Sequence, residues 1–324
     1  MKTDTSKNII EFIRAKDQAT VKELVSYLNI SYQAIFKQLK KLQNSGQLKK
    51  IGLAPKVFYI INQPIEYSKI EKLDKKIAQV IEKNYFIITP AGEIKKGILG
   101  FTYWCAKQNL SFKKTAIEYV QTLDKYNCYK KSGLISGLQK MKNTFERINL
   151  DKLYYLDFYS IERFGKTRLG QMLLYAKQSQ NRILIKELAE EIKPLVKKII
   201  SKFKINAIGF VSPTVKREVQ LIKELKNFLG FSLPIITIIK VKTPIIIPQK
   251  TLNKLKDRIE NAQSTFIIDE NVKYNNILLI DDAVGSGATL NEIACQIKKK
   301  NIAKKIIGLA ITGSFKGFDV ISEV

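Results

Sequence analysis

Residues 276–290 read Asn-Ile-Leu-Leu-Ile-Asp-Asp-Ala-Val-Gly-Ser-Gly-Ala-Thr-Leu, and the rest of the chain can be placed around them. The apolar run 277–280 is short and branched enough for a buried parallel strand. Asp281 and Asp282 come directly at its end. Ala283, Val284, Gly285, Ser286, Gly287, Ala288 and Thr289 then form a loop with two glycines and two hydroxyls, leading into an amphipathic helix over about 289–299. Backbone N–H groups of such a loop can converge on one anion, assisted by the helix dipole. The carboxylates can accept hydrogen bonds from sugar hydroxyls, or reach a magnesium ion held by a diphosphate. Together these parts make a place to hold a sugar phosphate.

Working outward, residues 207–211 form another apolar strand, and Ser212-Pro213-Thr214 turns into a helix running to about 229. A β-rich run follows at 234–241, then a long polar excursion, then the opening stretch, then a strand at 305–312. Strand-like alternation at 152–159 begins this last domain, and a lysine-rich helix covers about 183–203. The expected fold here is an α/β domain with a parallel sheet, and the two aspartates lie at the carboxyl end of a strand, where such sheets bind ligands. Gly165-Lys166-Thr167 suggests a Walker A loop, but the required upstream glycine is Ser160, so that phosphate cradle is incomplete.

The opening stretch resembles the phosphoribosyl-diphosphate signature of type I phosphoribosyltransferases. Gly285 and Ser286 stand where that family usually has two threonines, while Gly287 and Thr289 match. Over about residues 150–324 the chain is similar to the ComF-type branch. The matching features are Ser212-Pro213 with Lys216, Arg217 and Gln220, and a later segment with Gln249, Arg258, Asn261 and Phe266-Ile267-Ile268. The usual Arg-Gly-Phe-Asn-Gln element is shortened to Arg217 and Gln220. The resemblance implies that Asp281 and Asp282 orient ribose hydroxyls and that residues 283–289 hold the 5′-phosphate. Ser212, Pro213 and Thr214 would approach the diphosphate, with Arg217 and Arg258, and then Lys240 and Lys242, neutralising it. Mg²⁺ would arrive with the diphosphate, near Asp281 and Asp282 but without a direct protein ligand. No catalytic residue is assigned.

The first 64 residues read as a separate module. Three helices are expected over about 6–15, 20–28 and 31–44, the second opened by a Thr20/Glu23 capping box and the third capped by Ser31. Ile35, Leu39 and Leu42 recur at core spacing on the third helix, leaving Tyr32, Gln33, Lys37, Gln38, Lys40 and Lys41 outward. Residues 48–61 alternate around Gly52 and Pro55 like a two-stranded wing. This segment is similar to the winged helix-turn-helix of bacterial transcription regulators. That similarity implies double-stranded DNA as partner, with Ser31, Tyr32, Gln33, Lys37 and Gln38 at the major groove and Lys49, Lys50 and Lys56 gripping phosphates.

Gln63-Pro64 marks a boundary. Residues 65–150 form a mainly helical middle region in which no chemistry is legible. Helices are expected over about 66–84, 96–107, 112–126 and 130–143, with a strand at 85–89. Trp104 is read as core. The 66–84 helix is where the seam of a homodimer would be sought.

Composition narrows the chemistry further. The 324 residues contain no histidine, which excludes imidazole catalysis and histidine metal ligands. Three scattered cysteines argue for reduced thiols and against structural zinc. The formal charge of +27 is a weak sign of a polyanionic partner, because lysine is abundant along the whole chain. No apolar run approaches bilayer length and the N-terminus is polar, so a cytoplasmic protein without membrane contact is expected. Two functions fit these parts. One is a DNA-binding regulator whose C-terminal domain binds phosphoribosyl diphosphate or a nucleotide as effector. The other is an active ComF-type phosphoribosyltransferase, or a competence factor for DNA uptake, targeted by its winged helix.

Overall fold

The computed structural model describes residues 5–53, 55–62, 73–213, 215, 217–241, 244–245 and 247–314. The Gln63-Pro64 boundary, the start of the 66–84 helix, Thr214, Lys216 and Lys242 lie outside these residues. The chain divides into two compact units, one of residues 1–73 with 89–93 and 102–112, the other of the remainder.

The first unit opens with α1 (Thr5–Lys16), α2 (Val21–Leu28) and α3 (Tyr32–Asn44), then the antiparallel hairpin β1 (Leu48–Leu53) and β2 (Lys56–Ile61). The Thr20/Glu23 capping box is complete, and Asn29 ends α2 in the left-handed conformation. Ser31 Oγ accepts the N–H of Ala34 and starts α3. Ile9, Ile13, Leu24, Ile35, Leu39 and Leu42 close one apolar core with Tyr59 of the hairpin. Gly52 has φ of +80°, and a Cβ there would stand 2.3 Å from the Lys56 carbonyl oxygen, so the hairpin corner admits only glycine.

Next along the chain come α4 (Lys75–Asn84), β3 (Phe86–Ile88), β4 (Ile94–Lys96), α5 (Gly97–Lys107) and α6 (Phe112–Asn127). The helix expected over 130–143 is instead β5 (Lys130–Lys131), β6 (Leu134–Ser136) and the short α7 (Leu138–Lys142). Ser132 and Gly133 both have positive φ, which bends the chain into a hairpin, and β6 then pairs with the next strand. Tertiary pairing and turn chemistry override the helical propensity.

The remaining elements are β7 (Lys152–Phe158), β8 (Ser160–Ile161), β9 (Gly165–Lys166), α8 (Arg168–Ser179), α9 (Arg182–Lys202), β10 (Ala207–Phe210), α10 (Leu221–Leu229), β11 (Ile235–Lys240), α11 (Leu255–Thr265), β12 (Phe266–Asp269), β13 (Tyr274–Val284), α12 (Ala288–Lys299) and β14 (Ala303–Gly313). The eight-stranded sheet runs β12-β11-β10-β13-β14-β7-β6-β5. Strands β11, β10, β13, β14 and β7 are mutually parallel, while β12, β6 and β5 run antiparallel to their inner neighbours. The C-terminal part is thus the α/β domain with a mostly parallel sheet that the strand pattern predicts.

Side chains alternate across β13 with a period of two. Leu278 and Ile280 join the core formed with α8, α9 and α10, whereas Ile277 and Leu279 are equally buried but outside that cluster. Two helices escape the sequence pattern, α8 and α11, and α10 begins only at Leu221 rather than just after Pro213. Gly165 and Lys166 form a small hairpin with β8, and Thr167 caps α8 while donating to the Phe158 carbonyl, which accounts for the Walker-like triplet without a phosphate.

The region 138–151 buttresses α12. Asn291 is buried, accepts the Asn149 N–H at 2.8 Å and donates to the Arg147 carbonyl at 3.0 Å. Asn291→Ala orphans both backbone groups, and the expected loss is about 2–3 kcal/mol in urea unfolding of this unit. A loss under about 0.5 kcal/mol, the range of an ordinary surface substitution, would contradict that role.

Candidate functional site

Strand order reverses at β10. The chain leaves β10 to one side for β11 and returns to its other side as β13, so the carboxyl ends of β10 and β13 flank a topological switch point. A cavity of about 230 Å³ opens there. Its wall includes Ser212, Pro213 and Arg217 after β10, and residues 281–290 from the end of β13 into α12. Lys177 of α8, Lys240 of β11 and Arg258 of α11 complete the ring of charge. The two glycine-loop and turn segments quoted from the sequence therefore meet in one place. Among the described expected residues, all of those on the phosphoribosyl side line this cavity.

Asp281 and Asp282 sit inside β13, three and two residues before its end, because β14 keeps pairing as far as Val284 with Gly313. Neighbouring positions on a strand point to opposite faces, so the two carboxylates diverge. Asp282 lies on the side of α8 and forms an ion pair with Lys177, Nζ to Oδ2 at 2.5 Å. Asp281 Oδ1 accepts the N–H of Asp282 at 2.8 Å. Burial, and then the charge of Asp282, push the Asp281 carboxyl up to about 7, against the opposing pull of that hydrogen bond, Lys177 and Lys240. The charge of Asp282 holds the Lys177 ammonium above its ordinary value. Burial brings Lys240 down to about 8.

Gly287 is the N-cap of α12, in the left-handed region at φ +85°. A side chain there would be strained, and Met141 of α7 packs behind it. Ser286 Oγ accepts the Ala288 N–H at 3.3 Å, and the other first-turn N–H groups have no intrahelical acceptor. Arg258 is 5% exposed and lies against Gly285, where an added Cβ would be 3.5 Å from Nη1. Its Nε donates to the Leu252 carbonyl, its own carbonyl accepts from Gln249, and among the described residues Nη2 has no partner. This guanidinium, placed on the diphosphate side by resemblance, stands beside the glycine loop itself. Ser212 Oγ donates to the Ile238 carbonyl, so its hydroxyl hydrogen is already committed.

Two carboxylates thus face four cationic side chains and a helix N-terminus. The surplus of charge is positive, an arrangement that favours an anion over a cation. Lys177 is the member that sequence reasoning misses, one lysine among many on a helix that was not foreseen.

On α3, Gln33 and Lys37 are exposed, and so are Lys50 and Lys56 of the hairpin. Ser31 is occupied as a cap. Gln38 is half-buried and accepts a hydrogen bond from Ser6 at 2.8 Å, which turns it toward α1. Lys49 pairs with Glu93 at 2.9 Å. Tyr32 and Phe36 are 50% and 52% exposed, one helical turn apart on the outward face. Phe36 was missed, although the inward spacing of Ile35, Leu39 and Leu42 already leaves it outside.

Residues 6–52 match the DeoR-like helix-turn-helix domain, so the first unit carries a helix-turn-helix of that type. No curated protein matches the chain. Among solved structures, a hypoxanthine-guanine phosphoribosyltransferase from Bacillus anthracis is 16% identical, with a TM-score of 0.28 over 41% of this chain and 70% of that one. A hypoxanthine phosphoribosyltransferase from Staphylococcus aureus is 11% identical, with a TM-score of 0.26 over 41% of this chain and 65% of that one.

Proposed function

We propose that this chain is a DNA-binding regulator whose α/β unit binds a phosphoribosyl compound, phosphoribosyl diphosphate or a nucleotide, as its effector. The observation that carries this reading is the cavity at the switch point, where a glycine-capped helix start and an Arg258 Nη2 without a partner among the described residues stand beside two carboxylates. The loop at 283–289 with Arg258 suits a terminal phosphate. Asp281 suits ribose hydroxyls, since a carboxyl oxygen can accept their hydrogen bonds. Arg217 and Lys240 suit further phosphate oxygens on the side of Ser212 and Pro213.

The helix-turn-helix supports duplex DNA as the partner of the first unit. Gln33 suits an adenine edge, Phe36 a thymine methyl, and Lys37, Lys50 and Lys56 the phosphates. A palindromic operator would call for a homodimer.

The test measures operator affinity with and without phosphoribosyl diphosphate, while following diphosphate release in the same sample. The expected result is a change in DNA affinity of about five- to a hundredfold with no turnover. Phe36→Ala weakens operator binding without altering the effector's affinity. Unchanged DNA affinity, or steady diphosphate release with an amine or base acceptor, contradicts the effector role.

The raised Asp281 carboxyl has a sign that can be checked. Its unfolded value is near 3.8 and its folded value about 7, so the folded chain holds this proton more tightly. Stability therefore falls as pH rises between the two and stays low above about 7. Because Asp281 keeps some accessible surface, solvent screens the effect to the order of 1–2 kcal/mol. Asp281→Asn should raise the melting temperature of the ligand-free protein at pH 8 and leave it nearly unchanged at pH 4. A gain confined to the acid side contradicts the assignment.

A further inference from the structure

A magnesium ion prefers six oxygen ligands in octahedral array, drawn from carboxylates, phosphates and waters. The residues at this cavity do not suit a resident one. Among the described residues no group of three histidine, cysteine, aspartate or glutamate side chains could hold a metal. Of the two carboxylates present, Asp282 already carries an ammonium at 2.5 Å. The other, Asp281, lies within the charge field of both Lys177 and Lys240. Arg217 and Arg258 add two more positive charges to the same wall. An incoming divalent cation meets a net positive surface, whereas an anion is drawn in.

The position of Lys177 is built rather than incidental. Its side chain is 29% exposed and that of Asp282 16%. The start of α8 is fixed by the Thr167 cap and by Arg168, whose Nε donates to both oxygens of Glu191 at 2.8 and 3.0 Å. Its end is tied to the loop after β10, where Gln180 accepts the Val219 N–H at 2.8 Å. An ammonium has three donors, so after the bond to Asp282 Lys177 retains two for a ligand oxygen.

We propose that Lys177, with Lys240 beside Asp281, supplies at this carboxylate pair the positive charge that a divalent cation would otherwise bring, so that phosphoribosyl diphosphate binds here without Mg²⁺. The proposal rests on the phosphoribosyl reading of the cavity. Lys177 is a binding and specificity residue in this account. It offsets Asp282 in the empty site and turns its remaining donors to the anion in the filled one.

Isothermal titration of the full chain with phosphoribosyl diphosphate, once in EDTA and once in excess Mg²⁺, tests it. Wild-type affinity is expected to agree within about threefold between the two conditions, a difference under 1 kcal/mol. Lys177→Met should lose at least about tenfold in EDTA and recover part of it in Mg²⁺, while Lys177→Arg keeps metal-free binding. Binding by the wild-type chain only when Mg²⁺ is present overturns the resident-cation proposal and leaves the phosphoribosyl reading standing. Lys177→Met binding as tightly as wild type in EDTA overturns it as well. No binding in either condition removes both. The wild-type comparison does not depend on any variant folding.

Discussion

Two adjacent carboxylates at the end of a buried parallel strand are the constraint on which this site depends. A carboxylate taken out of water needs a compensating charge or hydrogen bonds, and otherwise takes up a proton. Asp282 is met by Lys177 of α8, and Asp281 by a backbone N–H and the field of two lysines. The lysines come from α8 and β11, and α8 is held at both ends by hydrogen bonds. Arg217 and Arg258 then carry the balance past neutrality. Local compensation that overshoots leaves the cavity wall with a net positive charge.

The strand order explains why this happens here. Only at a reversal do loops from neighbouring parallel strands part and leave a crevice. β10 contributes the turn at Ser212 and Pro213, β13 the aspartates and the loop, and both end on the same edge of the sheet. The helix start beyond the loop adds N–H groups, and Gly287 there takes a φ of +85° that a side chain would strain. The middle of the chain takes part too, since Met141 packs behind Gly287 and Asn149 and Arg147 hold Asn291.

Much of this was legible beforehand, for physical reasons. The apolar run at 277–280, the glycine loop and the following helix are local patterns, and local patterns are read well from one chain. The same is true of the capping box at Thr20 and the 35/39/42 spacing on α3. What stayed hidden depends on partners far away in sequence. Residues 130–136 read as helix because their sheet neighbour, β7, is not visible from their own periodicity. The aspartates were placed after the strand because the continued pairing of β14 cannot be read from β13 alone. Lys177 looked like any surface lysine until the fold put it within 2.5 Å of Asp282. Gln38 seemed as outward as Gln33 until Ser6 of α1 claimed it.

The most direct measurement follows the backbone amide resonances of Gly285, Gly287 and Thr289 during titration with phosphoribosyl diphosphate. The account predicts that these amides shift together and saturably, as a bound phosphate takes up the free donors at the start of α12. Saturable binding that leaves these three amides unmoved would place the anion elsewhere and contradict the account.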